Sequence, residues 1–204
     1  MPNRQKLINP SEGGLWGIMG GAFNPIHLGH LVMANSLMQS LEADGMMFVP
    51  SINHPLKNDH NLSSSYEDRF NMVSLAIEGN ESFIIEHPPE SSPYTFDLVD
   101  YLQNKYRLAR FFLPIGSDII NEFHQWYKSS EIEQHIRVVI AVRPGFEVKP
   151  RLDGLLKGAE IINIPQLKIA SRELRHMIKS NISIKYLVPP QVEDYIKKRG
   201  LYAE

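Results

Sequence analysis

The sequence contains no cysteine. That excludes disulfides, a thiolate zinc site and a cysteine nucleophile, and it fits a reducing compartment, so a cytoplasmic location is expected. Long apolar runs are missing too. The longest aliphatic stretch, Val138 to Val142, is far short of the roughly 20 residues that cross a bilayer. Neither sign of charge dominates: 21 Lys and Arg face 23 Asp and Glu, for a formal net charge of −2. No overall basic field argues for nucleic acid, and no polybasic run argues for a membrane surface. The opening "MPNRQKLINPSEGG" has no apolar core for a secretory signal and reads as a mobile tail over residues 1–14. Two phosphate-binding patterns are absent as well. No G-x-x-x-x-G-K-S/T loop is present, and no G-x-G-x-x-G follows a strand.

What is present suits one domain, expected over 15–204 of the 204 residues, with 43% hydrophobic residues to fill a core. Short apolar runs alternate with stretches of helical spacing. Leu15 to Met19, "GMMFVP", "SFIIE", "ARFFLPIG", "IRVVIAV" and "EIINIP" read as strands. Apolar residues at Leu31, Ala34, Met38 and Leu41 read as a helix, as do Tyr66 to Ile77, "ASRELRHMIKS" and "PPQVEDYIKKRG". One of Ser63, Ser64 and Ser65 should cap the Tyr66 helix. This alternation predicts an α/β fold: a doubly wound parallel sheet with helices on both faces and a small helical part at the C-terminus. Ligands of such sheets bind beyond the carboxyl ends of the strands. Three turns fall there: Gly20-Gly21, Gly116-Ser117-Asp118 and Arg143-Pro144-Gly145.

The first of these, in "MGGAFNPIHLGH" from Met19 to His30, carries the most chemistry. A glycine turn running into a helix N-terminus offers free backbone N–H groups and the positive end of the helix dipole to an anion. Gly29 would let that backbone approach a ligand closely. His27 and His30, three apart, share a helix face. They could donate to phosphate oxygens and stabilise charge developing in phosphoryl transfer, or simply cap the helix; spacing alone leaves both readings open. A zinc site is the weaker alternative, because no third ligand is evident nearby.

"GGAFNPIHLGH" resembles the G-x-F-D/N-P-x-H-x-G-H signature of the nucleotidyltransferase superfamily of adenylyl- and cytidylyltransferases. "IGSDIINEFHQWYKSSEI", "VVIAVRPG" and "IASRELRHMIKSNISIKYLVPPQVEDYIKKRGLY" are similar, in order and spacing, to bacterial nicotinate-nucleotide adenylyltransferases, so that the likeness spans about Leu15 to Tyr202. It implies a Rossmann-like fold, ATP with Mg2+, and transfer of the adenylyl group to nicotinate mononucleotide, giving deamido-NAD and pyrophosphate. It implies phosphate contacts from Gly20, Gly21, Ala22, Phe23, His27, Gly29 and His30, with His30 foremost in the transition state. Phe23 and Pro25 fit a role in shaping the turn better than one in touching substrate. Gly116 and Asp118 match the family's G-x-D, which faces the nucleotides. Ser171 and Arg175 match its S-x-x-x-R, which holds the β- and γ-phosphates; otherwise Ser171 would be an N-cap and Arg175 a surface charge. Lys57 resembles the lysine of a P-x-H-K loop, and Arg143 lies at a substrate-facing strand end. Tyr94, Thr95, Trp126 and Tyr127 resemble the nicotinate pocket. There an aromatic stacks on the pyridine ring while backbone or hydroxyl donors meet the carboxylate. A homodimer is the default assembly the likeness suggests.

The chain departs from the family's I-S-S-T-x-I-R at "IASRELR", where Ala170 replaces a serine and Arg172 a threonine. Asn24 stands where the adenylyltransferases usually carry aspartate. The alternatives are a nicotinamide-mononucleotide or pantetheine-phosphate adenylyltransferase, or a weak nucleotide-binding sensor. His54, His60, His87, His124, His135 and His176 read as surface or satisfied side chains.

Overall fold

The computed structural model describes residues 9–52, 63–90, 92–117, 119–142, 155–165 and 167–203. The body of the domain begins earlier than residue 15. Pro10–Glu12 form a 3-10 turn capped by Asn9, whose side chain accepts from the Ser11 N–H at 2.9 Å, and Pro10 is buried. The first strand already starts at Gly14. Residues 10–14 therefore belong to the fold rather than to a tail, and residues 1–8 lie outside the described ones.

Six strands follow: β1 (Gly14–Gly21), β2 (Gly45–Pro50), β3 (Phe83–Ile85), β4 (Ala109–Gly116), β5 (Arg137–Val142) and β6 (Glu160–Asn163). They form one sheet in the order β3-β2-β1-β4-β5-β6, with every neighbouring pair parallel. Between them run α1 (Leu28–Ser40), α2 (Tyr66–Ile77), α3 (Thr95–Lys105) and α4 (Ser129–His135), and after β6 come α5 (Ser171–Lys179) and α6 (Pro190–Arg199). The sheet is buried on both sides because successive side chains of a strand point to opposite faces. Trp16 and Ile18 of β1 pack with Val99 and Leu102 of α3 and Ile132 of α4. Met19, next along the same strand, packs on the other side with Ala34 of α1, Met72 and Val73 of α2, and Val192 and Ile196 of α6. The doubly wound expectation holds, including the closing helices. Ser65 is the cap of α2, accepting from the Asp68 N–H at 3.0 Å. Among the described residues no helix is long and apolar enough to cross a membrane.

Close packing at the strand starts leaves no room for side chains there. A Cβ on Gly45 would lie 2.5 Å from the Ser82 carbonyl oxygen and 2.8 Å from Trp16 Cε3. Ser82 O is itself held by the Met46 N–H at 2.8 Å, so it cannot retreat. Gly45→Ala should therefore destabilise the protein by at least about 1–3 kcal/mol, the usual cost of overpacking. Urea unfolding measures this, and an unchanged midpoint would contradict the packing described.

The sheet also makes its own crevice. β1 pairs with β4 only from Gly14↔Ala109 to Gly17↔Phe112. Beyond that β1 stays with β2 as far as Gly21↔Pro50, and β4 stays with β5 as far as Gly116↔Ala141. The two central strands thus part at their carboxyl ends, which is where the winding of the sheet reverses and where ligands of such sheets bind. Pro114 stands in the parted stretch, where its missing N–H breaks no ladder bond to β1.

Candidate functional site

The sequence suggested a tight turn at Gly20-Gly21, but both residues belong to β1, paired with Val49 and Pro50. The reversal comes afterwards, over residues 22–27. Its left-handed residue is Phe23, at φ 47°, followed by a cis Asn24-Pro25 bond. A non-glycine residue there is held by its environment. The Phe23 ring is 3% exposed and packs on Phe48 at 5.9 Å and edge-on to His30 at 5.1 Å.

His27 is the N-cap of α1 and His30 lies in its first turn. The rings stack at 3.8 Å with 26° between planes. His27 is 6% exposed, whereas His30 is half-buried. The His27 N–H donates to His30 Nδ1 at 3.3 Å. An accepting Nδ1 puts the proton of a neutral imidazole on Nε2, which makes Nε2 the donor. Stack, hydrogen bond and Phe23 edge together fix the orientation of His30. Gly29 serves the same geometry, since a Cβ there would lie 3.0 Å from the His27 ring.

Ser171 and Arg175 arrive from the far end of the chain. Ser171 is the first residue of α5, not its cap; the cap is Ala170, which makes no side-chain hydrogen bond. The Ser171 hydroxyl donates to the Pro25 carbonyl at 2.9 Å, and Arg175 Nη1 donates to the Asn24 carbonyl at 2.7 Å. Neither residue is a solvated surface group. Both are bound to the signature turn, and Arg175 keeps further N–H donors on its guanidinium. Arg172 is exposed. Asn24 is 3% exposed, and its side-chain oxygen accepts from the Ser64 hydroxyl at 2.6 Å. Ser64 in turn accepts from the Tyr202 hydroxyl at 3.1 Å. Burial pushes the Tyr202 phenol up to about 12. The neutral Asn24 suits this neutral chain of hydroxyls. No sequence motif pointed to Ser64 or Tyr202.

Across the crevice, Gly116 ends β4 and Ser117 is buried. Among the described residues the hydroxyls of Ser117 and of Ser51, just after β2, have no hydrogen-bond partner. They flank the end of β1 on either side. Lys57, Asp118 and Arg143 lie outside the described residues.

The four residues expected at the nicotinate pocket differ in burial. Trp126 is partly buried and packs on Phe123 at 5.3 Å, against the core under α3 and α4. The exposed pair is Tyr94 and Tyr127, at 40% and 46%, with ring centroids 4.6 Å apart. Tyr94 caps α3 without a side-chain bond, so Thr95 opens the helix, and the Leu98 N–H is already taken by the Tyr94 carbonyl at 3.1 Å. The first N–H groups of α3 have no partner within the helix. The Lys128 Nζ lies 4.3 Å from the Phe96 ring and 5.4 Å from that of Tyr127, and 3.7 Å from Glu131 Oε2. Sequence reading passed over Lys128, although it adjoins the Trp126-Tyr127 pair. His87, His124, His135 and His176 are exposed, and His54 and His60 lie outside the described residues.

Comparison with known proteins shows the family of the chain. The Cytidylyltransferase-like family model matches residues 18–186. A nicotinate-nucleotide adenylyltransferase of Bacillus subtilis is 34% identical over 189 residues, covering 91% of this chain and 97% of that protein. A probable nicotinate-nucleotide adenylyltransferase of Caldicellulosiruptor saccharolyticus is 38% identical over 197 residues, 92% of this chain and 98% of that one. Among solved structures, the Plasmodium falciparum nicotinic acid mononucleotide adenylyltransferase complexed with NaAD aligns with a TM-score of 0.78 at 23% identity. It covers 92% of this chain and 97% of that one, a likeness of fold.

Proposed function

Because the chain belongs to the cytidylyltransferase-like family, and within it to the nicotinate-nucleotide adenylyltransferases, we infer that it transfers the adenylyl group of ATP to nicotinate mononucleotide. A phosphate oxygen of the mononucleotide attacks the α-phosphorus of ATP. The bond from that phosphorus to the bridging oxygen of pyrophosphate breaks, and deamido-NAD and pyrophosphate result. No covalent protein intermediate is needed. The protein's work is positioning and stabilisation of charge.

The observation that carries the residue roles is the oriented His30 over a turn whose carbonyls are bound from behind. His30 Nε2–H meets the charge that grows on the α- and β-phosphates. His27, too buried for a broad phosphate contact, holds His30. The end of β1, Gly20 to Phe23, and the start of α1 at Gly29 line the phosphate path. Ser171 and Arg175 anchor the N-terminus of α5 against the turn, and the spare donors of Arg175 face the β- and γ-phosphates. Gly116, at the end of β4, borders the nucleotides, and family likeness implies the same of Asp118. Tyr94 and Tyr127 offer the pyridine ring its stacking surface, with N–H groups near Thr95 and Tyr127 for the carboxylate; Trp126 supports them from the core. Lys57 and Arg143 keep the substrate contacts that family likeness implies. Among the described residues no three His, Asp or Glu side chains group to hold a metal, and the Mg2+ that the family implies accompanies ATP as substrate. Such an ion would be bound mainly by substrate phosphates.

Pyrophosphate release from ATP, measured with nicotinate mononucleotide, nicotinamide mononucleotide and phosphopantetheine as acceptors, tests this reading. The nicotinate acceptor should give the highest kcat/KM. Release with none of the three would leave a nucleotide-binding protein without transferase activity.

Arg172 admits a sharper test. Ala170 leaves the N-terminus of α5 without a capping hydroxyl, and the exposed Arg172, second residue of that helix, can supply a cation to a phosphate there. Arg172→Ala should raise the KM for ATP roughly three- to tenfold, the scale of one exposed charge-assisted hydrogen bond. Ala170→Ser with Arg172→Thr should recover much of it. An unmoved KM in both would make Arg172 a surface residue.

A further inference from the structure

The turn between β1 and α1 is gripped by three side chains, and one of them belongs to no motif. Arg69, in the middle of α2, is wholly buried. Its Nη1 donates to the Ala22 carbonyl at 2.8 Å and its Nη2 to the Ile52 carbonyl at 3.3 Å. With Arg175 on Asn24 O and Ser171 on Pro25 O, the carbonyls of Ala22, Asn24 and Pro25 are all held by side chains of α2 and α5. We propose that Arg69 is a positioning residue for adenylyl transfer: by holding back the Ala22 carbonyl it turns the Phe23 N–H toward the phosphates.

The argument is one of peptide geometry. In a planar trans peptide the C=O and N–H point in opposite directions. A carbonyl of Ala22 bound to α2 therefore aims the Phe23 N–H away from α2. Among the described residues no backbone carbonyl accepts from that N–H. Phe23 pays for this orientation with a left-handed φ of 47°, which a bulky residue adopts only when its surroundings hold it there. The buried Phe23 ring holds one side of the peptide and the guanidinium the other. The planar guanidinium meets Ala22 O and Ile52 O from two separate nitrogens, where a lysine would bring a single one. The proposal rests on the adenylyl-transfer reading above.

The test compares Arg69→Met and Arg69→Lys with the full-length parent. Arg69→Met should lower kcat tenfold or more with the KM for ATP changed by less than about threefold, because the oriented N–H matters most where charge develops. Arg69→Lys, which keeps a donor for Ala22, should restore most of the kcat. A merely structural arginine would lower the melting temperature while leaving kcat per folded molecule unchanged at 20 °C, and that result would overturn the proposal. If Arg69→Met does not fold, the amide resonance of Phe23 decides. It should shift on addition of a non-hydrolysable ATP analogue to the parent and shift nearly as far in Arg69→Lys; no shift in the parent would overturn the proposal. The analogue binds without any acceptor, so a parent that shows the shift but no transfer to nicotinate mononucleotide would support the positioning role and sink only the acceptor assignment.

Discussion

His30→Ala should leave the protein folded and lower turnover by on the order of a hundredfold or more, the scale on which removal of one preorganised donor acts. Alanine is a strong helix former, and the His30 side chain is only half-buried in the first turn of α1, so the substitution removes a donor without opening the core. What is lost is a ring already oriented before substrate arrives. It is stacked 3.8 Å from His27, edged by Phe23 at 5.1 Å and bonded through Nδ1 to the His27 N–H, with Nε2–H as the remaining donor. A donor fixed in this way needs no rearrangement when charge develops, which is why it contributes to kcat more than to ground-state affinity. The KM for ATP should move far less than kcat. Steady-state kinetics of pyrophosphate release, with circular dichroism to confirm folding, measure both. Near-normal turnover in a folded His30→Ala protein would refute the role.

The second large effect is the choice between acid and amide. Nicotinate mononucleotide should exceed nicotinamide mononucleotide in kcat/KM by about tenfold to a hundredfold. The rings of Tyr94 and Tyr127 can stack on either pyridine and so cannot discriminate. Discrimination must come from the rim. There the opening N–H groups of α3 at Thr95 lack partners within the helix, the helix dipole favours a negative charge, and the Lys128 ammonium lies 4.3 Å from the Phe96 ring in the same first turn. A carboxylate accepts from all of these donors with charge assistance. The amide presents an NH2 to one of them and leaves a donor unmet. That costs roughly 1–3 kcal/mol, and each 1.4 kcal/mol is about tenfold. Lys128→Ala should narrow the ratio chiefly by weakening the acid. Equal kcat/KM values at saturating magnesium-ATP, or a preference for the amide, would sink the nicotinate pocket described here.

Much of this was legible in the amino-acid sequence. Alternating strand and helix patterns require βαβ units, and continuous apolar strands such as "RVVIAV" require a sheet covered on both faces. The stretch from Gly20 to His30 pointed to a candidate site at a strand end through its resemblance to a nucleotidyltransferase signature, since the spacing of its histidines alone suits helix capping as well. Even Arg69 left a trace. It sits three and four residues before Met72 and Val73, a charge in the buried stripe of α2, and such a charge demands partners. The same window could have directed attention to it.

What only tertiary structure decided is who meets whom. The order β3-β2-β1-β4-β5-β6 depends on pairing between strands dozens of residues apart, which no local period encodes. Local pattern likewise could not tell whether Ser171 capped its helix. The answer lay 146 residues away at the Pro25 carbonyl, and that of Arg175 lay 151 residues away at Asn24. The turn moved from Gly20-Gly21 to Phe23 because a buried ring and a buried guanidinium can stabilise a backbone conformation that propensity alone assigns to glycine. Of the four residues expected at one pocket, Trp126 packs on Phe123 against the core while Tyr94 and Tyr127 stay exposed, because the larger apolar ring gains more by burial and phenols keep a hydroxyl in water. By itself the sequence determined residue types and their periods, and with them the layers of the fold and the chemistry available to it. The direction of each donor was decided by long-range packing, because a hydrogen bond is set by the position of both its partners and the sequence spells out only one neighbourhood at a time.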